Sequence, residues 1–256
     1  MRLTFLGTDS VLPVAGNDTA SYLVDDHTIV DTGLGAYRSL HEAGADARAI
    51  RRIFLTHWHH DHFIGLAGLL FGLGHGRPGP DNVLEIFAPR AGFDEKMEAV
   101  LAFLGAARTP TVVPKLKYFP LDSGDAVSLP GYQVRVLGLR HAVASLAYRF
   151  EEDGARLLTL CGDSAPHAPL ADFARGSRLL VHEASHPADF AADDPQRGHS
   201  TAREAASLAR DAAVGRLALI HFPLSQRAAR LAQAQPIFAQ AFAPRPGDRV
   251  ELSSVR

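Results

Sequence analysis

Cysteine is nearly absent from this 256-residue chain, which carries only Cys161. That excludes a disulfide scaffold and a cysteine-based zinc finger. It suits a reducing compartment, so a cytoplasmic location is expected. Net charge is almost absent too: 26 Lys and Arg face 28 Asp and Glu, a formal balance of -2. General nucleic-acid binders tend to be basic, and this chain lacks that electrostatic footprint. No apolar run approaches the roughly 18 residues that a spanning helix needs. The opening Met1-Arg2-Leu3-Thr4-Phe5-Leu6-Gly7 lacks the apolar stretch of a signal peptide. No membrane partner is therefore expected. Disorder is excluded by a hydrophobic content of 46%. A chain of this length can bury a core without staples, and one continuous domain over residues 1–256 is expected.

Short apolar runs alternate with longer Ala/Leu-rich stretches along the chain. The runs Leu3–Leu6, Thr28–Val30, Arg52–Leu55, Leu84–Phe87, Gln133–Leu139, Leu157–Leu160, Leu179–Val181, Leu217–Ile220 and Arg249–Leu252 read as strands. Leu34–Ala43, His62–Leu70, Ala91–Ala106, Leu170–Arg175, Thr201–Ala213 and Ser225–Gln235 read as helices. Such alternation predicts an α/β layered fold. Phe93, Met97, Val100, Leu101 and Leu104 fall on one helical face. Thr201-Ala202-Arg203-Glu204 reads as a capping box, and Pro236 should end or kink the last helix. Gly72–Asn82, rich in Gly and Pro, reads as an exposed loop bordering the functional site, and Ala188–Arg197 as an acidic polar one.

What the chain has in abundance is histidine, 13 in all. Four of them cluster in Thr56-His57-Trp58-His59-His60-Asp61-His62, directly after an apolar run. His57, His59, Asp61 and His62 form an H-x-H-x-D-H pattern of the ligand types that zinc, manganese and iron accept. In extended backbone, residues two apart point the same way, so His57 and His59 serve one direction. Asp61 and His62, where the chain turns into a helix, can serve a second ion. Two-metal hydrolases hold such pairs about 3.5–4 Å apart. His141, Asp163, His221, Asp31 and Glu183 each close or follow another apolar run. Sites of α/β sheets gather at the C-terminal ends of strands. Trp58 and His27, His41, His60, His75 and His167 read as packing, turn or surface residues, His182 and His186 flank the site strand and could go either way, and Cys161 reads as a small buried filler with a thiolate ligand as the alternative.

These motifs resemble the metallo-β-lactamase superfamily of binuclear metallohydrolases. The resemblance implies a four-layer αββα sandwich and two divalent ions, zinc first, with manganese or iron as the other candidates. It implies that His57, His59 and His141 bind one ion, that Asp61, His62 and His221 bind the other, and that Asp163 bridges them. Asp31 matches the family's early Asp, which orients the metal loop through hydrogen bonds. A narrower resemblance is to the ribonuclease Z and zinc phosphodiesterase branch. It rests on Phe5-Leu6-Gly7-Thr8, on the segment His141–Phe150, on His182-Glu183-Ala184 and on Gly198-His199-Ser200-Thr201-Ala202. It implies that Glu183 and His199 pair and that His199 assists the leaving group. It also implies a homodimer.

Two features depart from that branch. Its long basic arm, which clamps tRNA, is missing: the 22 positions from His141 to Asp163 are nearly filled by two strands and the turn Glu152-Asp153-Gly154. The Glu-Gly pair after the early Asp is replaced by Thr32-Gly33. The expected activity is a binuclear phosphodiesterase acting on an RNA 3′ end or a small diester. An activated water would attack phosphorus, and Asp61 could accept a proton from it. Arg149 or Arg227 could contact phosphate. The competing readings are a metallo-hydrolase of a lactone, thioester, sulfate ester or β-lactam, and a metal-binding protein with a vestigial site.

Overall fold

A computed structural model describes residues 1–76, 82–190 and 197–253. The expected loop over Ala188–Arg197 lies mostly outside those residues. The chain divides into two compact units, one made of Arg2–Leu121 with Arg245–Val250 and the other chiefly of Asp122–Pro244.

In the first unit the strands are β1 (Arg2–Gly7), β2 (Ser21–Val24), β3 (Thr28–Val30), β4 (Arg52–Phe54), β5 (Val83–Pro89) and β6 (Lys115–Leu121). With β14 (Arg249–Glu251) they form a seven-stranded sheet ordered β14-β1-β2-β3-β4-β5-β6. β1, β2 and β3 pair antiparallel, whereas β3, β4, β5 and β6 run parallel. The parallel register sets Ile29, Ile53 and Ile86 side by side. Their face packs against Leu40 of α1 (Ala36–Glu42), Leu66, Leu69 and Leu70 of α3 (Leu66–Gly76), and Phe93 and Met97 of α4 (Phe93–Phe103). Side chains alternate along a strand, so Phe54, Phe87 and Phe119 share the other face. There they stack at 4.3 and 4.6 Å.

The predicted helix over His62–Leu70 is two helices, α2 (His60–Phe63) and α3. At the break the Gly65 N–H leaves the helix and donates to the Thr32 carbonyl at 3.1 Å, and the close approach admits only glycine, because a Cβ there would lie 1.9 Å from the Gly33 carbonyl oxygen. The predicted loop does not begin at Gly72. Gly72–Gly76 forms the end of α3, and residues 77–81 lie outside the described part. Leu101 and Leu104 are half-buried rather than core residues of α4.

The second unit holds β7 (Ala126–Leu129), β8 (Tyr132–Gly138), β9 (Leu146–Glu152), β10 (Ala155–Cys161), β11 (Leu179–Glu183), β12 (Arg216–Ile220) and β13 (Ala241–Phe242). They form a second seven-stranded sheet in the reverse order, from β13 to β7. β10, β11, β12 and β13 are parallel, and β7 to β10 are joined antiparallel. Asp153 and Gly154 close the β9–β10 hairpin with φ of 48° and 79°. Two successive positive φ values are what a tight hairpin turn requires, so no room is left there for an inserted arm. α5 (Ala168–Ala174), α6 (Ala202–Asp211) and α7 (Arg227–Ala234) complete the unit. The capping box forms as expected, Thr201 and Glu204 satisfying each other's backbone N–H groups. Ala202, Ala205, Ala206 and Ala209 give α6 a buried small-residue face in the core with Leu180, Leu217 and Leu219. α7 stops at Ala234, two residues before Pro236.

Candidate metal centre

The parallel strands end in polar residues. In the first unit, Asp31 follows β3 with φ of 56°, and His57 lies three residues beyond β4. In the second unit, Glu183 closes β11, and His221 follows β12 with φ of 66°. A positive φ outside glycine is uncommon and tends to occur at functional sites.

In the first unit one carboxylate organises the histidine loop. Asp31 is 1% exposed. Its Oδ1 accepts the Thr56 N–H at 2.7 Å. Its Oδ2 accepts the Thr56 hydroxyl at 2.8 Å and lies 2.8 Å from His62 Nδ1. An ionised carboxylate only accepts, so His62 must carry its proton on Nδ1. The Thr56 hydroxyl has given its proton to Asp31, so it accepts from His57 Nδ1 at 3.0 Å. Both rings are thereby set to present Nε2 as a lone-pair donor, the form that ligates metal. The rings of His57 and His62 are 4.1 Å apart, those of His57 and His59 4.9 Å. Asp61 Oδ2 lies 3.6 Å from His62 Nε2. Thr19 donates to the Asp61 carbonyl at 2.7 Å, fixing the start of α2. Trp58 packs beneath the loop, edge-on to Phe63 and Phe93, as the sequence led us to expect.

In the second unit, ligand-type atoms of Asp163, His199 and His221 all lie within 4.8 Å of one another. His221 Nε2 is 3.4 Å from Asp163 Oδ2. His141 donates from Nδ1 to the Gly198 carbonyl at 2.6 Å, which again leaves Nε2 to ligate. Burial lowers the His141 pKa, with nearby Asp163 opposing, so the ring favours its neutral, ligating form. Gly198 is needed for that contact, since a Cβ there would stand 3.0 Å from His141 Nδ1.

Glu183 is fully buried and carries five hydrogen bonds. Its Oε1 accepts from Ser164 N, Ser200 N and His199 Nδ1 at 3.1, 3.2 and 2.9 Å. Its Oε2 accepts from the Ser185 N–H and hydroxyl at 3.0 and 2.6 Å. Burial and the nearby Asp163 push its pKa up, but the His199 hydrogen bond and the His199 and His221 rings more than offset this and hold it below the usual range. The carboxylate therefore stays charged and can steady a protonated His199.

The two arginines considered as phosphate contacts are committed elsewhere. Arg149 pairs with Glu151 at 2.6 Å and stacks 4.7 Å from Phe173. Arg227 donates to the Ala243 carbonyl at 2.7 Å. Cys161 is buried among apolar side chains, and burial pushes its thiol pKa up, which disfavours the thiolate. The sequence reading missed Thr56, Ser185 and Arg230. Each acts by a hydrogen bond to a residue distant in sequence or to a neighbour's side chain, and no local pattern marks that. Ser185 did follow directly on a quoted motif.

The donor set fits a divalent metal. Neutral imidazoles with Nδ1 engaged, together with buried carboxylates, are what zinc-class ions accept. No described helix is long and apolar enough to cross a membrane.

Comparisons with known proteins point the same way. Residues 27–222 match the family model described as a beta-lactamase superfamily domain. A ribonuclease Z from Methanothermobacter thermautotrophicus is 30% identical, over 86% of either chain. Among solved structures, the metallo-beta-lactamase fold protein YhfI from Bacillus subtilis superimposes with a TM-score of 0.81 at 21% identity, covering 97% of this chain and 98% of its own. Human tRNase Z, short form, gives 0.79 at 21% identity, covering 99% of this chain and 100% of its own.

Proposed function

Because the chain belongs to the metallo-β-lactamase superfamily, we propose that it is a metal-dependent phosphodiesterase of ribonuclease Z-like type, with both units serving one hydrolase domain. His57, His59 and His141 would hold one divalent ion, Asp61, His62 and His221 a second, with Asp163 shared. Zinc is the first candidate for both. Bound ions would supply Lewis-acid stabilisation of the phosphoryl oxygens and an acidified water as nucleophile.

The chain's own groups do the rest. Asp61 offers a carboxylate that can take a proton from the attacking water. His199 Nδ1 is spent on Glu183 at 2.9 Å, so Nε2 is the nitrogen from which a proton can pass to the departing oxygen. Glu183, held charged by its five donors, favours the protonated ring and fixes its orientation. This Glu183–His199 pair, beside Asp163 and His221, carries the reading. A thioester, whose thiolate departs readily as an anion, has less need of an acid so placed.

An RNA 3′ end or a small diester is the proposed substrate, in the cytoplasm, by a homodimer. The short β9–β10 turn and the near-zero net charge offer no clamp for tRNA. Turnover of bis-p-nitrophenyl phosphate with zinc or manganese, run beside a lactone and thioester panel, tests the proposal. Diester hydrolysis at rates well above the panel is expected. Selective cleavage of a lactone or thioester would overturn it.

A further inference from the structure

Ser185, two residues past β11, sits between two groups to which the proposed function gives separate duties. Its hydroxyl oxygen is 2.6 Å from Glu183 Oε2 and 2.8 Å from His221 Nδ1. A serine hydroxyl gives one proton and accepts two. The Glu183 carboxylate and the His221 carbonyl, the latter 3.1 Å from the hydroxyl, both only accept, and the proton goes to the nearer, charged carboxylate. The Ser185 oxygen must then accept the proton on His221 Nδ1. That fixes His221 in the tautomer that keeps Nε2 for a metal, and Nε2 lies 3.4 Å from Asp163 Oδ2. At the other end, Glu183 Oε1 receives the His199 Nδ1 proton at 2.9 Å. The four side chains form one unbroken chain, His221–Ser185–Glu183–His199.

We propose that Ser185 is a positioning residue that couples metal binding at His221 to the orientation of His199 through this chain. The inference rests on the ligand and acid roles proposed above. Hydrogen bonds in series polarise one another, so the state of the ligand ring is felt at the acid ring. The hydroxyl is held in place from behind. Arg230 on α7, only 4% exposed, donates to the Ser185 carbonyl at 3.0 Å and to Gln226 at 2.7 Å. Its guanidinium lies 5.9 Å from the ring of Phe222, the neighbour of His221. Arg230 therefore braces both ends of the Ser185–His221 contact.

An ordinary turn-capping serine would use its backbone N–H, and Ser185 does so toward Glu183 Oε2 at 3.0 Å. Ser185→Ala keeps that bond and removes only the hydroxyl. Ser185→Thr keeps the hydroxyl at this half-buried position.

The test compares zinc affinity, by chelator competition, in the wild type, Ser185→Ala and Ser185→Thr, with melting curves as the folding control. Nitrogen-15 histidine spectra of the apo-proteins report which ring nitrogen of His221 is protonated. Ser185→Ala should bind zinc about 10–100-fold more weakly and show His221 in mixed tautomers, while Ser185→Thr returns both to near wild type. In diester turnover, Ser185→Ala should cost less in a His199→Ala background than in the wild type. Wild-type zinc affinity and an unchanged His221 spectrum in a folded Ser185→Ala protein would overturn the inference. So would equal losses in the two backgrounds. A wild type that binds zinc yet hydrolyses no diester would instead overturn the proposed function, while the affinity and spectral arms still decide the role of Ser185.

Discussion

Replacing Asp31 by Asn should weaken metal binding without unfolding the chain. Both Asp31 oxygens accept: Oδ1 from the Thr56 N–H, Oδ2 from the Thr56 hydroxyl and His62 Nδ1. Asparagine has one acceptor oxygen and one NH2, so one side must now meet a donor. The backbone N–H of Thr56 cannot change its role. The Thr56 hydroxyl can rotate and His62 can move its proton to Nε2, so the amide NH2 should face them. A proton on Nε2 removes the lone pair that would ligate. Changing such an orienting partner costs about 10–100-fold in metal affinity, equivalent to about 1.4–2.8 kcal/mol. Asp31→Ala goes further, leaving the buried Thr56 N–H without an acceptor at a cost of about 1–3 kcal/mol in stability. Chelator competition and melting curves of the two apo-proteins separate these effects. Asp31→Asn should lose affinity but hold its melting temperature better than Asp31→Ala. Wild-type zinc affinity in Asp31→Asn would refute the argument that Asp31 sets the His62 tautomer.

Other outcomes follow from the same geometry. His199→Ala should lower kcat by about 100-fold or more on an alkyl diester with metal content near wild type, whereas Glu183→Ala should lower kcat as much and also weaken metal binding, because it frees the Ser185 hydroxyl that orients His221. The loss should be smaller on bis-p-nitrophenyl phosphate, whose leaving group departs readily as an anion; equal losses on both would remove the acid role. Gly65→Ala should destabilise by about 1–3 kcal/mol or more, because its Cβ would meet the Gly33 carbonyl at 1.9 Å, and an unchanged melting temperature would show that the backbone there yields easily.

Much of this was legible in the sequence because it is written in local patterns. Thr28–Val30, Arg52–Phe54 and Leu179–Glu183 are short, apolar and bounded by polar residues, and they are strands. The capping box at Thr201 is a four-residue signal and it forms. The histidine loop joins ligand types within six positions. β6 escaped notice because Lys115, Lys117 and Pro120 interrupt it, which an outer strand tolerates. β2 and β13 are only four and two residues long. The break in the helix after Phe63 depends on the Gly65 N–H turning to the Thr32 carbonyl, and spacing in sequence carries no trace of that. The Asp31–Thr56 and Ser185–His221 contacts join residues 25 and 36 positions apart. They set ring tautomers rather than supply ligands, so they leave no ligand-type motif.

The scarcity of net charge and the short β9–β10 turn also acquire a use. They separate the hydrolytic centre from any grip on a large RNA, and efficient processing of precursor tRNA by this chain alone would show that a clamp lies elsewhere. The central claim is that two ions and the Glu183–His199 pair make a phosphodiesterase. It is tested most directly by titrating zinc or manganese into chelator-stripped protein while following bis-p-nitrophenyl phosphate hydrolysis. The account predicts negligible turnover without metal, rising to a plateau at two ions per chain. Full turnover in the stripped protein, or a doubly loaded protein inert to the diester, would contradict it.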